Sequence, residues 1–407
     1  MSLFDQTQAV ENHFAKSNPN YLESMFGRTD LAPLWIADME FKIAAPISEE
    51  LKRLVDRGVY SYEFIEKDVV QAISDWNLKR HQLQLDTSSF LQVPGVLTGI
   101  SILVRELSQE RDAVLVQTPV YHQFFKLIKS ANRTVVENPL KIQDGKYFID
   151  FEDLEQKFKS EKVKLMILCN PHNPVGRVWT KEEMIQLNHL ANQYGVTIIS
   201  DEIHSDIIFS TSKFNSIASV DTLQKHIAVI GSPAKTFGMH SISNGYLYVP
   251  NEDVRQQLKS IIGGMYLDHG NILSAYGTIA AYTKGEEWLN ELLGYLEQSN
   301  QWIKEFVSNE LPAVTLFQPE GTYQIWLDFS ALKLSDEILQ HLVVDKAKLA
   351  LTPGNWFGEQ HGQFMRMNIA SPLATLQDAF YRLKKAIDER DQLTELKKEA
   401  SKGCCSC

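Results

Sequence analysis

The chain has 407 residues, 44% of them hydrophobic, which is more than one core usually serves and predicts a large domain with a smaller companion. A formal net charge of −11 argues against nucleic acid or anionic membrane as the main partner, and a small-molecule substrate fits better. Positions 1–20 hold no signal-like apolar segment, no run reaches a membrane span and the four cysteines form no disulfide framework, so a cytoplasmic protein is expected.

Positions 1–50 read as an arm anchored by Trp35 and Phe41. Apolar spacing predicts a helix over 68–81, with Val69, Val70, Ile73 and Trp76 on one face. From there strands and helices alternate: strand 91–93, helix 96–107, strand 113–117, helix 121–129, strand 133–136, strand 165–169, helix 181–194, then strands 196–200, 227–230 and 245–249. This is the pattern of an α/β domain with a mostly parallel, doubly wound, seven-stranded sheet. A helix over 287–311, with Leu289, Leu292, Leu293, Leu296, Ile303 and Phe306 at helical spacing, links it to the next domain. Alternating segments 323–328 and 364–369, closed by a helix over 373–390, predict a smaller α+β domain built from both chain ends. The expected divisions are an arm at 1–50, a large domain at 51–290, a small domain at 291–392 and a tail at 393–407. Cys404, Cys405 and Cys407 crowd that tail, which reads as frayed chain rather than a metal or lipid site.

The chemistry concentrates where strands end. Val196-Thr197-Ile198-Ile199-Ser200 stops at Asp201, Ile227-Ala228-Val229-Ile230 leads into Gly231-Ser232-Pro233-Ala234-Lys235, and the run 165–169 leads into Asn170-Pro171-His172-Asn173-Pro174-Val175-Gly176. If these strands are parallel neighbours, their polar ends open onto one crevice. Each residue has a plainer reading alone: Lys235 as a solvated loop lysine, Asp201 as a helix cap, Tyr121 as a core aromatic, Arg366 as an ion-paired strand residue. Together, a carboxylate, a hydroxyl and an amine suit pyridoxal 5′-phosphate (PLP), whose ring nitrogen needs an anion, whose phosphate needs donors and whose aldehyde needs an amine.

The order of these stretches resembles the fold type I PLP enzymes, the class I/II aminotransferase superfamily, and within it the cystathionine β-lyase or C-S lyase branch. The resemblance runs from Leu34-Trp35-Ile36-Ala37-Asp38-Met39-Glu40-Phe41 through Pro319-Glu320-Gly321-Thr322-Tyr323 to Phe364-Met365-Arg366-Met367-Asn368-Ile369-Ala370, leaving out only the two ends. It implies that Lys235 bonds to the PLP aldehyde and then takes the Cα proton, while Asp201 faces the pyridine nitrogen. It further implies that Asn173 donates to the phenolate oxygen, that Tyr121 stacks on the ring and that His204 stands where many transaminases carry a tyrosine. The amides of Val96 and Leu97, at a helix start, and the Ser232 hydroxyl would hold the phosphate. Tyr62 would reach the phosphate of a neighbouring subunit, implying a homodimer, and Arg366 would fork the substrate's α-carboxylate. Two positions depart from the pattern: Ser61 replaces a usual glycine, and Ser243 stands where many transaminases place an arginine.

The implied reaction is α,β-elimination from an amino acid bearing sulfur on Cβ, such as cystathionine or a cysteine S-conjugate, giving thiol, pyruvate and ammonia. Transamination through the same residues is the rival, and a regulatory or partner-binding role ranks below both. The Trp-x-Ala-Asp-Met opening, the His204 context and Pro353-Gly354-Asn355-Trp356-Phe357-Gly358 favour the lyase.

Overall fold

The computed structural model describes residues 2–6, 11–221 and 225–403, with side chains through residue 390. Two compact units emerge, one formed by Lys42–Gly294 with Pro319–Thr322, the other by Met1–Phe41, Tyr295–Gln318 and Tyr323–Cys407.

In the large unit the strand-length apolar runs build a seven-stranded sheet from β1 (Phe90–Val93), β2 (Ala113–Val116), β3 (Thr134–Glu137), β4 (Val163–Cys169), β5 (Thr197–Asp201), β6 (Ile227–Gly231) and β7 (Gly245–Tyr248). Their spatial order is β1-β7-β6-β5-β4-β2-β3. Strands β3, β2, β4, β5 and β6 pair in parallel, whereas β7 runs antiparallel to both β6 and β1. The middle strands carry no polar face because helices cover both sides, so Leu165, Met166, Ile167, Ile198 and Ile199 are all buried. Val114, Val116, Leu165, Ile167 and Ile230 pack with Ile100 and Leu103 in one core.

Helices of this unit include α1 (Ala45–Arg57), α2 (Glu66–His81), α3 (Val96–Glu106), α4 (Gln123–Ser130), α5 (Lys181–Tyr194), α6 (Ala234–Phe237) and α7 (Ile272–Lys284). Helix α5 has clear local causes: Thr180 and Glu183 form a capping box at its start, and Gly195 ends it at φ 67°. Helix α1 corrects the reading of 1–50 as one arm. It begins beside Pro46, buries Ile47 and Leu54, and stops at Gly58 in the left-handed region. Helix α7 packs on α1 and α2, and beside Tyr282, whose ring meets Trp76, it buries mostly small residues, Ser274, Gly277, Thr278, Ala280 and Ala281, which carry no strong apolar period.

The return segment Pro319–Thr322 was not anticipated, and its hydrogen bonds explain it. The amides of Glu320 and Gly321 donate to the Gly176 carbonyl, and that of Thr322 donates to Ile207. The Glu320 carboxylate accepts from Arg177 Nε at 2.8 Å and from the Val178 amide at 3.0 Å.

The small unit holds a four-stranded antiparallel sheet of β8 (Thr315–Phe317), β9 (Gln324–Asp328), β10 (Thr352–Pro353) and β11 (Phe364–Asn368), ordered β8-β9-β11-β10. Helix α8 (Glu286–Glu310) begins in the large unit and continues in this one. The closing helix α9 (Leu373–Gly403) runs past its expected end at 390, and the cysteines at 404, 405 and 407 lie outside the described residues. The stretch 34–38 hangs on β11 and its neighbours. Asn368 Nδ2 donates to the carbonyls of Ile36 at 2.7 Å and Asp38 at 2.6 Å, and the Tyr323 hydroxyl donates to that of Ala37 at 3.1 Å.

Candidate functional site

Parallel β2, β4, β5 and β6 bring their carboxyl ends to one edge of the large sheet. Register places Asp201, the last residue of β5, between Cys169 on β4 and Ile230 on β6. The side chain is buried, and its Oδ1 accepts one hydrogen bond, from the Ile203 amide at 3.1 Å. Burial pushes this carboxyl up to about 6, opposed by that backbone bond and by the charge of Lys235. It therefore remains mostly ionised at neutral pH, and the lysine is near enough to act on it.

Lys235 sits not in an open loop, as the sequence suggested, but in the single helical turn α6, half-buried, between buried Ala234 and Thr236. Ser232 starts this turn: its Oγ accepts from the Ala234 amide at 3.2 Å and donates to the Asn244 carbonyl at 2.7 Å. Asn244 precedes Gly245, where β7 begins, and a Cβ there would lie 3.1 Å from the Val96 nitrogen. Only glycine lets β7 approach the start of α3 this closely. Gly95 offers that helix no side-chain cap, so the first-turn amides, including those of Val96 and Leu97, have no such acceptor. Ser232 and the α3 amino end thus flank the same dipeptide, 244–245. Ser243, noted in the sequence as the place of a missing arginine, has its hydroxyl 3.4 Å from that of Ser232.

On the other side of Asp201, the chain leaving β4 carries Asn173, which is buried, with its amide donating to Cys169 Sγ at 3.4 Å. Its neighbour His172 is also buried, and burial pushes its imidazole down to about 4. The neutral ring donates from Nε2 to the Pro119 carbonyl at 2.8 Å. That bond ties the Asn173 loop to the loop bearing Tyr121, a connection that spacing alone did not reveal. Tyr121 lies just before α4 rather than inside the expected helix 121–129, half-buried, with ring centroids 5.1 Å from His122 and 5.6 Å from Phe124. His204 is buried in the turn after β5, where its carbonyl accepts from the Ile207 amide.

Two further expected site residues lie on other elements. Tyr62 lies between α1 and α2 with 96% of its surface exposed. Arg366 belongs to the small unit, on β11. There its Nη2 donates to the Trp35 carbonyl at 2.6 Å and to Thr352 Oγ1 at 3.2 Å, and its guanidinium lies 5.1 Å from the Phe357 ring centroid.

Sequence reasoning also passed over Glu202. Its Oε1 accepts from Ser200 Oγ and Ser216 Oγ, both at 2.9 Å, and from the Ile217 amide at 3.2 Å. Burial pushes its carboxyl up to about 7 against the pull of those donors. No cluster of His, Cys, Asp and Glu suited to a metal ion occurs among the described residues, and no helix among them is long and apolar enough to cross a membrane.

Known proteins match this chain in both sequence and fold. A family model described as aminotransferase class I and II matches residues 45–383. Cystathionine beta-lyase PatB of Bacillus subtilis (strain 168) is 38% identical over 364 residues, covering 89% of this chain and 94% of that protein. A PLP-bound structure from Clostridium difficile 630, provisionally described as an aminotransferase, superposes with a TM-score of 0.91 at 37% identity, over 94% of this chain and 99% of that one. Cystalysin from Treponema denticola, whose crystal structure contains PLP, superposes with a TM-score of 0.90 at 28% identity, over 95% of this chain and all of that one. Matched over most of its length in both sequence and fold, the chain belongs to the class I and II aminotransferase family.

Proposed function

We propose that this protein is a PLP-dependent carbon–sulfur lyase, which cleaves cystathionine or a related cysteine S-conjugate to a thiol, pyruvate and ammonia. The observation that carries this reading is the gathering of Asp201, the Lys235 turn, Asn173 and the Ser232–α3 cradle at one sheet edge, in a chain 38% identical to a cystathionine β-lyase. The residues fit PLP: a buried, ionised carboxylate accepts a single hydrogen bond, an amine stands near it, and an uncapped helix start lies beside a glycine whose Cβ would fill the space.

When bound, PLP supplies an aldehyde that couples to amines and a ring that accepts the electron pair left at Cα. Asp201 holds a proton on the ring nitrogen by its charge. Asn173 would donate its side-chain amide to the phenolate oxygen, and Tyr121 and His204 would hold the ring. Val96 and Leu97 donate backbone N–H groups, and Ser232 its hydroxyl, to the phosphate. With Ser243 in place of an arginine, dipoles and hydroxyls do most of that work. Lys235 Nζ would hold the cofactor and then take the Cα proton. Arg366 binds the α-carboxylate with its planar fork. The Cβ–S bond breaks with the sulfur leaving as a thiolate, a far better leaving group than an alkoxide because a thiol is much the stronger acid. Water then releases ammonia from the three-carbon remnant, giving pyruvate.

The working form we infer is a cytoplasmic homodimer. Tyr62 and Phe64, 96% and 94% exposed, stand out from the segment before α2, which suits burial against a second copy and a reach by Tyr62 to its phosphate site. The reaction is tested by incubating purified protein with excess cystathionine and no 2-oxo acid, then counting pyruvate per active site. Many turnovers are expected; a single turnover, resumed only on adding a 2-oxo acid, leaves a transaminase. Sedimentation tests the assembly, and a fully active monomer rejects the dimer.

A further inference from the structure

Asp206, five residues beyond the strand end that carries Asp201, is buried within the large unit. Its Oδ1 lies 2.9 Å from Trp76 Nε1 and 2.8 Å from His81 Nε2, both on α2, and its Oδ2 accepts from Thr236 Oγ1 at 2.8 Å. Burial pushes the carboxyl up, but the bond and charge of His81, with the bonds from Trp76 and Thr236, outweigh it and hold the group below its ordinary value. An ionised carboxylate only accepts, so His81 presents its Nε2–H to it. None of these groups is among the residues assigned to the crevice above. What the carboxylate does touch is the residue directly after Lys235.

The neighbouring contacts reinforce that link. Phe237, the second residue after the lysine, packs its ring against Trp76 and Tyr282 at centroid distances of 5.7 and 5.9 Å. Ahead of the lysine, the Ala234 amide is held by Ser232 Oγ. A single turn of four residues has little helical stability of its own, because nucleation costs more than one hydrogen bond returns. Its orientation must come from side chains that dock it. Thr236 supplies the polar dock, and the other half of that dock is anchored on α2, more than 120 residues away in sequence.

We propose that Asp206 is a positioning residue for Lys235: anchored by Trp76 and His81, it holds Thr236 and thereby aims the lysine-bearing turn. The proposal rests on the reading of Lys235 as the residue that binds PLP. A buried hydroxyl–carboxylate bond is strong and directional, and small misplacement of a reacting amine is costly in rate. Thr236→Val cuts only the link to the turn and leaves Asp206 with Trp76 and His81; Thr236→Ser keeps the hydroxyl.

The test uses full-length protein stripped of cofactor and mixed with PLP. Samples are reduced with borohydride at intervals, and the fraction of PLP fixed to Lys235 is read by peptide mass. Thr236→Val is expected to slow this capture, and to lower kcat, roughly tenfold with KM little changed, while Thr236→Ser stays near wild type. Thermal melting of each variant reports whether it is folded. Capture and kcat at wild-type levels in folded Thr236→Val overturn the proposal, and so does equal impairment of the valine and serine variants. Lys235→Ala is the separate control: PLP fixed elsewhere in that protein rejects the reading of Lys235, whatever Thr236 does.

Discussion

Asp201 and Glu202 are adjacent in the chain, equally buried and both pushed toward neutral by burial, yet they meet different partners at the same strand end. Glu202 gives its Oε1 to three donors, two hydroxyls and an amide, which join β5 to the segment around Ser216. Asp201 accepts a single backbone bond and feels the charge of a lysine. A buried carboxylate with few donors raises the free energy of the fold, and structures keep such groups where a ligand completes them. On the proposed reading, the contrast separates a carboxyl that braces the fold from one set out for chemistry, although sequence alone makes them interchangeable neighbours.

The largest effect expected on the crevice side is from Lys235→Ala. Elimination measured as pyruvate release should fall by roughly 10⁴-fold or more, because the variant loses both the attachment point and the base. Asp201→Asn should follow, with kcat down on the order of 10³-fold and the fold intact by circular dichroism, since a neutral amide cannot hold the ring nitrogen protonated. Near-normal turnover in that variant would reduce Asp201 to a strand-end turn residue and dissolve the contrast with Glu202.

The sheet was legible because its strands are short apolar runs ending abruptly in polar residues, and β5 falls within one residue of its expected span. Those same endings made Asp201, Asn173 and Ser232 visible as a group. What stayed hidden has a common physical cause. Helix α7 buries small residues that leave no amphipathic stripe, and α1 follows a stretch whose aromatic anchors drew it into an arm. The bracing of Glu202 by Ser216, and of Asp206 by Trp76, His81 and Thr236, joins residues far apart in the chain, which no spacing rule encodes. The close approach of β7 to α3 at Gly245 is likewise a three-dimensional fact that a lone glycine does not announce.

The pH dependence of the cofactor-stripped protein sharpens the comparison next. The folded-state pKa of Asp201, at about 6, lies above its ordinary 3.8, so the folded protein binds that proton more tightly than the unfolded chain does. Its effect is absent below pH 4 and becomes a destabilisation as pH rises through 4 to 6, amounting to about 3 kcal/mol once complete. Asp201→Asn removes it. Urea midpoints should therefore match between wild type and variant near pH 4, with the variant gaining about 3 kcal/mol over wild type by pH 8. A difference that does not change with pH would mean that Asp201 is better solvated or better bonded than its single donor suggests.

The smallest effect on turnover is expected from Glu202→Gln, the same chemical change one residue further on. Glutamine keeps an Oε1 that can accept from Ser200, Ser216 and the Ile217 amide, and below about pH 7 the native group is itself largely protonated. Stability near pH 4 should change by less than about 1 kcal/mol, and kcat by no more than about threefold. Because burial raises this carboxyl from 4.5 to about 7, wild type loses stability as pH rises through that window and the glutamine does not, so the variant should gain on wild type between about pH 4.5 and 7 and hold that gain above it. Measuring kcat for Glu202→Gln beside Asp201→Asn at pH 7 is the direct comparison. If both fall together by orders of magnitude, the negative charge of Glu202 reaches the crevice through the strand end, and the two carboxyls act as one electrostatic unit rather than as brace and reagent.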